Sequence, residues 1–214
     1  MQQLVGPHFN VQTMRDAQQW ALAQLATIAA EFTPGMLETD AQTLLCQRLA
    51  QAGVDTHWHP AIVRFGANTC KIYSEPSDPT VRLGENDVFF IDIGPVWHGH
   101  EADVGATYAV GHDVDAKAIV QAVDQVFAQV EAHWRGGCSG TELYQYAQHC
   151  AAQLGYQLHH QIKGHRVGDY PHKLYASGSL GELPGEAVPG IWVLEIQLKH
   201  PTRAIGAFKE QVLF

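Results

Sequence analysis

The strongest constraint in this 214-residue sequence is a run of apolar residues that carries one carboxylate. Residues 88–95 read Val-Phe-Phe-Ile-Asp-Ile-Gly-Pro, a pattern typical of a strand buried on both faces. A charged Asp92 there is costly unless it is paired or holds a metal ion. A hairpin turning near Trp97 and His98 would set Asp92 opposite Asp103, roughly 4.5–5.5 Å away. Two like charges that close favour a cation between them. The alternative is one core Asp bonded to backbone amides and one surface Asp.

The C-terminal part of the chain repeats this arrangement. Residues 191–196 form an apolar run that contains Glu195, and residues 207–214 form a terminal strand that contains Glu210. A hairpin turning near residues 202–203 would place Glu195 opposite Glu210. Each part of the chain therefore offers one carboxylate pair on one predicted hairpin.

Apolar residues at helical spacing predict two similar pairs of helices. The first pair covers residues 12–32 and about 39–53, and the second covers residues 114–134 and about 141–155. At an offset of 102 residues the helix breaks and the terminal glycines of the two pairs coincide. We therefore expect a single domain over residues 1–214, made of related halves at about 12–110 and 113–214 with a cleft between them. The alternative is that similar helical hairpins recur by chance.

Composition excludes several other classes of protein. The formal net charge is -9, and no basic run points to nucleic acid or an anionic membrane. No apolar run approaches the roughly 20 residues of a membrane span, and the N-terminus lacks a signal-peptide pattern. The four cysteines are widely spaced, which argues against a zinc ribbon or a disulfide framework. A cytoplasmic protein is the expectation.

The segment Gly-His-Arg-Val-Gly-Asp-Tyr-Pro-His at residues 164–172, between the carboxylate pairs, carries two histidines. One imidazole and four carboxylates suit two divalent ions such as Mn, Fe, Co or Zn. In chain order this candidate ligand set is Asp92, Asp103, His165, Glu195 and Glu210.

Several stretches resemble motifs of the pita-bread metallopeptidases, the family of methionine aminopeptidase, aminopeptidase P, proline dipeptidase and creatinase. These stretches are FIDIGPVWHGHEADVGATYAVG, GHRVGDYPH, VLEIQL and FKEQVLF, together with PAIVRFGANTCKIYSEPSD before the first Asp strand. The resemblance implies an α+β, internally duplicated fold with a curved antiparallel sheet and outer helices. It also implies that all five residues of the candidate set bind metal, that Glu195 acts as the general base, and that His172 is catalytic.

The chain departs from the family pattern around the substrate. Tyr73 stands where the peptidase branch has a catalytic His, Arg166 interrupts a usual Gly-Ile-Gly, and Lys173 replaces a Glu. Tyr73, Arg166 and His100 are candidate substrate contacts.

His57 and His59 share one face of a predicted strand and could hold zinc. The flanking Trp58 and Pro60 favour an ordinary half-buried strand instead.

The preferred function is therefore dinuclear, metal-dependent hydrolysis of a C–N bond in a small peptide or amide. An aminopeptidase or dipeptidase activity of the Xaa-Pro or methionine type is the first choice. The sequence does not fix the oligomeric state, and a homodimer is compatible with it. One alternative is a metal enzyme of another reaction class, for example iron-dependent oxidation of a non-peptide substrate. The other is a binding protein without catalysis.

Overall fold

The computed structural model describes residues 3–214, which form four α-helices, three short 3-10 helices and eight strands. No helix in this range is long and apolar enough to cross a membrane. The helices are α1 (Val11–Ala29), α2 (Glu38–Gln51), α3 (Val114–Arg135) and α4 (Gly140–Gln153). The strands are β1 (His57–Phe65), β2 (Asp87–Trp97), β3 (His100–Glu101), β4 (Val104–Val110), β5 (Gln157–Leu158), β6 (His165–Arg166), β7 (Trp192–Lys199) and β8 (Gly206–Val212).

All strands join one antiparallel sheet in the order β1-β2-β4-β8-β7-β5, with β3 paired to β2 and β6 to β7. Strands from the first half lie on one side and strands from the second half on the other. The two halves meet where β4 pairs with β8, through Gly105 and Glu210 among others. The predicted α+β class is confirmed, and the two acidic hairpins become neighbours at the centre of the sheet.

Matching backbone conformations support the predicted duplication. Gly35 and Gly137, which follow the first helix of each half, have φ of 90° and 82°. Gly53 and Gly155, which follow the second helices, have φ of 89° and 81°. Glycine suits these left-handed positions because it carries no Cβ. That the two halves can be superimposed remains a prediction, and these four glycines are the positions from which the superposition would start.

The register of the first hairpin differs from the expected one by two residues. Its turn lies at His98 and Gly99, which have φ of 46° and 74°, one residue later than predicted. Asp92 therefore pairs with Gly105, and the expectation that it pairs directly with Asp103 was wrong. Asp103 lies two residues before Gly105, in the segment just before β4. It is therefore a diagonal neighbour of Asp92 on the same face of the sheet.

One buried carboxylate ties helix α2 to the end of β1 and to the loop over residues 66–82. Glu38, at the start of α2, is 4% exposed. It accepts hydrogen bonds from Phe65 N at 2.6 Å, from Asn68 Nδ2 at 2.9 Å and from the Ser77 hydroxyl. Because this loop carries Tyr73 to the cleft described below, Glu38 supports one wall of the site.

We expect Glu38→Ala to destabilise the fold by roughly 3 kcal/mol or more, because each buried donor left unpaired costs about 1–3 kcal/mol. Denaturant unfolding checks this, with the exposed acid Glu182→Ala as the matched control. Equal unfolding midpoints for the two variants would contradict the role of Glu38.

Candidate metal centre

The sheet brings four carboxylates together at its centre. Asp92 lies in β2, Asp103 just before β4, Glu195 in β7 and Glu210 in β8. Glu195 pairs directly with Glu210, as the sequence predicts. Asp92, Asp103 and Glu210 are buried and Glu195 is half-buried. Four acids this close require cations or protons between them.

His165 completes one side of this cluster. Its Nε2 lies 3.1 Å from Asp103 Oδ2 and 3.2 Å from Glu210 Oε1. Its Nδ1 lies 3.1 Å from the Arg166 carbonyl. Asp103, His165 and Glu210 each offer one ligand atom, and these atoms lie within 4.8 Å of one another.

His59 occupies the other side of the cluster, where the sequence favoured an ordinary strand residue. Its Nε2 lies 3.0 Å from Asp103 Oδ1 and 3.6 Å from Asp92 Oδ1. His59, Asp92 and Asp103 form a second group whose ligand atoms lie within 4.8 Å of one another. Asp103 belongs to both groups and so stands between two candidate ion positions.

Burial and the surrounding charges shift the pKa values of the acids in opposite directions. Burial raises the pKa of Asp92 to about 7, although the nearby His59 acts against it. Burial also raises the pKa of Glu195 and Glu210. Burial acts in the same direction on Asp103, but His59 and His165 outweigh it and lower the Asp103 pKa to about 2. Asp103 is therefore the carboxylate that keeps its charge most strongly.

The residues present fit divalent ions. Asp92 Oδ1 is buried and has no hydrogen-bond partner within residues 3–214, and Asp103 Oδ2 is buried with His165 Nε2 at 3.1 Å as its polar neighbour. Such oxygens are unfavourable unless a cation or an ordered water meets them. A mixed set of carboxylate oxygens and imidazole nitrogens suits Mn, Fe, Co or Zn.

A cleft of about 420 Å³ opens above the carboxylates, a volume within the range typical of small-molecule sites. Asp92, Glu195 and Glu210 form part of its lining, together with His59 and His165. Its walls include Trp58, Tyr73, Arg166, His172 and Lys173. Two of the predicted substrate contacts, Tyr73 and Arg166, thus reach the cleft.

His172 is held in the cleft wall by Glu101, a residue that the sequence did not single out. Glu101 is 1% exposed and accepts hydrogen bonds from His172 N at 3.0 Å and from Gly168 N at 3.1 Å. Its Oε2 also lies 2.5 Å from His172 Nδ1. Because a carboxylate only accepts, His172 Nδ1 carries the hydrogen and Nε2 is the ring nitrogen left for other contacts.

Arg166 is a buried wall residue. Its Nη2 donates to the Leu4 carbonyl at 2.5 Å, and its guanidinium lies 5.2 Å from the centroid of a Trp192 ring. Nε and Nη1 have no partner within the described residues. Burial lowers the pKa of Arg166 to about 10, so the group stays cationic at neutral pH.

The structure does not bring His100 to the cleft. His100 is buried, and its Nε2 accepts a hydrogen bond from Asn10 N at 2.8 Å. Its Nδ1 lies 3.0 Å from the His98 carbonyl. Both ring nitrogens are therefore used to hold the N-terminal segment against the hairpin turn, and the predicted substrate contact is corrected to a structural one.

Trp58 packs against all three imidazoles of the site. Its ring centroids lie 4.5 Å from His59, 5.2 Å from His165 and 5.6 Å from His172, each edge to face. Its Nε1 donates to the Ala102 carbonyl at 3.1 Å. The sequence carried only a weak signal that Trp58 packs against the site. A Trp between two histidines occurs equally in an ordinary half-buried strand.

The sequence model of metallopeptidase family M24 matches residues 12–190. The chain belongs to metallopeptidase family M24. The match includes Asp92, Asp103, His165 and His172, whereas Glu195 and Glu210 lie beyond it and join the centre through the sheet. A search among curated protein sequences gave no significant match.

Solved structures share the pita-bread fold of this M24 chain. Methionine aminopeptidase from Thermotoga maritima is 16% identical, with a TM-score of 0.77 over 99% of this chain and 94% of that one. Zinc-substituted aminopeptidase P from Escherichia coli, in complex with product, is 18% identical, with a TM-score of 0.76 over 96% of this chain and 52% of that one. A dipeptidase from Pyrococcus horikoshii is 19% identical, with a TM-score of 0.77 over 94% of this chain and 56% of that one. This chain thus spans about half of the last two proteins.

Proposed function

We propose that this M24 chain is a dinuclear metal-dependent hydrolase that cleaves a C–N bond in a small peptide or amide. The observation that carries the proposal is Asp103, which is fully buried and shared between two groups of potential metal ligands beneath an open cleft. An aminopeptidase or dipeptidase of the Xaa-Pro or methionine type is the first choice, in keeping with the family.

In this proposal Asp92, Asp103, His165, Glu195 and Glu210 hold two divalent ions. Bound there, the ions lower the pKa of a water molecule and polarise a substrate carbonyl. Glu195 is the half-buried acid of the set and lines the cleft. This partial exposure supports its proposed role as the general base that accepts a proton from the attacking water.

His172 acts from the wall on the substrate itself. Glu101 holds its Nδ1–H, so the ring cannot rotate freely and Nε2 is the atom available to the substrate. When protonated at Nε2, the imidazole donates a hydrogen bond to the carbonyl oxygen as charge develops there. Tyr73 is 58% exposed at the mouth of the cleft and is proposed as a further hydrogen-bond contact.

The cationic side chains in the wall favour a substrate with an anionic group. Arg166 has two unpartnered donor atoms among the described residues, and the exposed Lys173 also belongs to the lining of the cleft. The carboxyl terminus of a dipeptide supplies such a group. This favours short peptides with a free C-terminus over long ones.

The test starts with elemental analysis of protein purified without oxygen. The protein is then loaded in turn with Mn, Fe, Co and Zn and assayed against Xaa-Pro dipeptides, peptides with N-terminal Met, and small amides. We expect bound metal and release of a free amine from at least one class. Bound metal without hydrolysis of any class would contradict the proposed reaction, and no bound metal would contradict the site.

We expect Glu101→Gln to lower kcat by about 10- to 100-fold while metal content and KM change little. The amide keeps one acceptor but turns an N–H towards donors of His172 or Gly168, so the imidazole loses its fixed orientation. Steady-state kinetics and elemental analysis on one preparation check this, with the exposed Glu85→Gln as control. An unchanged kcat would make the Glu101–His172 contact structural only.

A metal enzyme of another reaction class is the second candidate. The observation that favours it is that the departures from the family pattern, Tyr73, Arg166 and Lys173, all line the cleft. Iron-dependent oxidation of a small acid would show as oxygen consumption by the iron-loaded protein. Hydrolysis that proceeds without oxygen would exclude it.

A further inference from the structure

We propose that His59 is a sixth protein ligand, an imidazole that binds the ion held between Asp92 and Asp103. The inference rests on the proposed metal centre and adds to it a residue outside the five-residue set. It makes the two ion positions alike, since each then has one imidazole.

The contacts of His59 match those of the first imidazole, His165. His59 Nε2 approaches two carboxylates, Asp103 at 3.0 Å and Asp92 at 3.6 Å. His165 Nε2 likewise approaches two carboxylates, Asp103 at 3.1 Å and Glu210 at 3.2 Å. The two rings approach different oxygens of Asp103, Oδ1 for His59 and Oδ2 for His165, so each ring lies next to one oxygen of the shared carboxylate.

The backbone orients both rings in the same way. His59 Nδ1 lies 2.9 Å from the Pro60 carbonyl, and His165 Nδ1 lies 3.1 Å from the Arg166 carbonyl. A carbonyl only accepts, so each Nδ1 carries a hydrogen and Nε2 is the ring nitrogen that faces the carboxylates. Each Nε2 would be free to bind an ion there once its own proton is displaced. Metal-binding histidines are commonly fixed through the other ring nitrogen in this manner.

The strand is shaped to allow this approach. Opposite His59 in the sheet lies Gly94, and a Cβ there would come within 2.2 Å of His59 Cδ2 and 2.3 Å of Nε2. The β1–β2 register also shifts on both sides of His59, between His57 and His59 and between His59 and Ile62. Such irregularities re-aim side chains next to functional sites. The ring therefore reaches over β2 to the carboxylates because Gly94 leaves the space.

The experiment titrates metal-free protein with Co(II) under anaerobic conditions and follows binding by calorimetry and by proton NMR. Each ligated imidazole keeps its Nδ1–H, which gives one strongly shifted, exchangeable resonance next to paramagnetic Co(II). We expect two such resonances in the wild-type protein at full loading. His59→Ala is expected to lose one resonance and to bind one Co(II) at least about tenfold more weakly. His57→Ala, on the same strand, is the matched control and is expected to keep both resonances.

The outcomes separate this inference from the proposed function. One shifted resonance in the wild-type protein with two Co(II) bound would overturn the role of His59 and leave the metal centre intact. No Co(II) binding by the wild-type protein would overturn the metal centre itself. The wild-type count needs no variant, so it decides the question even if His59→Ala folds poorly, and His59→Gln provides a second variant of similar size.

Discussion

Asp103→Asn is expected to lower the number of bound divalent ions and to reduce hydrolysis by more than about 10³-fold. Asp103 is fully buried and contributes to both ligand groups, so its loss weakens both ion positions at once. Without the ions, the pKa of the attacking water returns to its much higher value in bulk water, which removes the nucleophile at neutral pH. Asn has nearly the same volume as Asp, so the change acts on charge rather than on packing.

Elemental analysis after equilibration with Mn, Fe, Co or Zn checks the first part of this expectation, and rates on the same sample check the second. Asp124→Asn is the matched control, because Asp124 is an exposed residue whose contact is Lys209 on the outside of the sheet. If Asp103→Asn holds as much metal as the wild-type protein, Asp103 is not a shared ligand.

His172→Ala is expected to reduce turnover by about 10²–10³-fold and to leave metal content unchanged. His172 lines the cleft wall, and its Nδ1 is bound to Glu101 instead of to the carboxylate cluster. It belongs to neither group of potential ligands found within the described residues. Loss of one preorganised donor to a developing oxyanion typically costs this much.

Metal stoichiometry and rate are measured on one preparation of His172→Ala. The exposed His112→Ala is the control for loss of an imidazole outside the cleft. Loss of an ion would make His172 a ligand, whereas an unchanged rate would make it a structural residue.

The site was predictable from the sequence where chemistry and local pattern agreed. Asp92 and Glu195 each interrupt an apolar strand, and a buried acid requires a compensating partner wherever the strand lies. The predicted pairing of Glu195 with Glu210 was confirmed because the hairpin turns near residues 202–203 as expected, and the position of the turn sets the register of the two strands. The expected Asp92–Asp103 pairing was wrong because a turn shifted by one residue moves the register by two.

The residues that sequence reasoning missed depend on contacts between distant segments. Glu101 and His172 are separated by 71 positions, and no local pattern connects an acid after a turn with a loop histidine. His59 looked like an ordinary strand residue because its orientation depends on an irregular strand and on the absence of a side chain at Gly94.

The sequence by itself determined the two helix pairs and the order of the acids and histidines, because periodicity and the cost of burying charge act locally. Its resemblance to the pita-bread family implied the α+β class. Only the tertiary structure decided which side chains converge. Pairing of β4 with β8 joins the two acidic hairpins, and that contact involves residues about half the chain apart. The same pairing sets Asp103 between His59 and His165, since the position of each imidazole depends on the strand beside it.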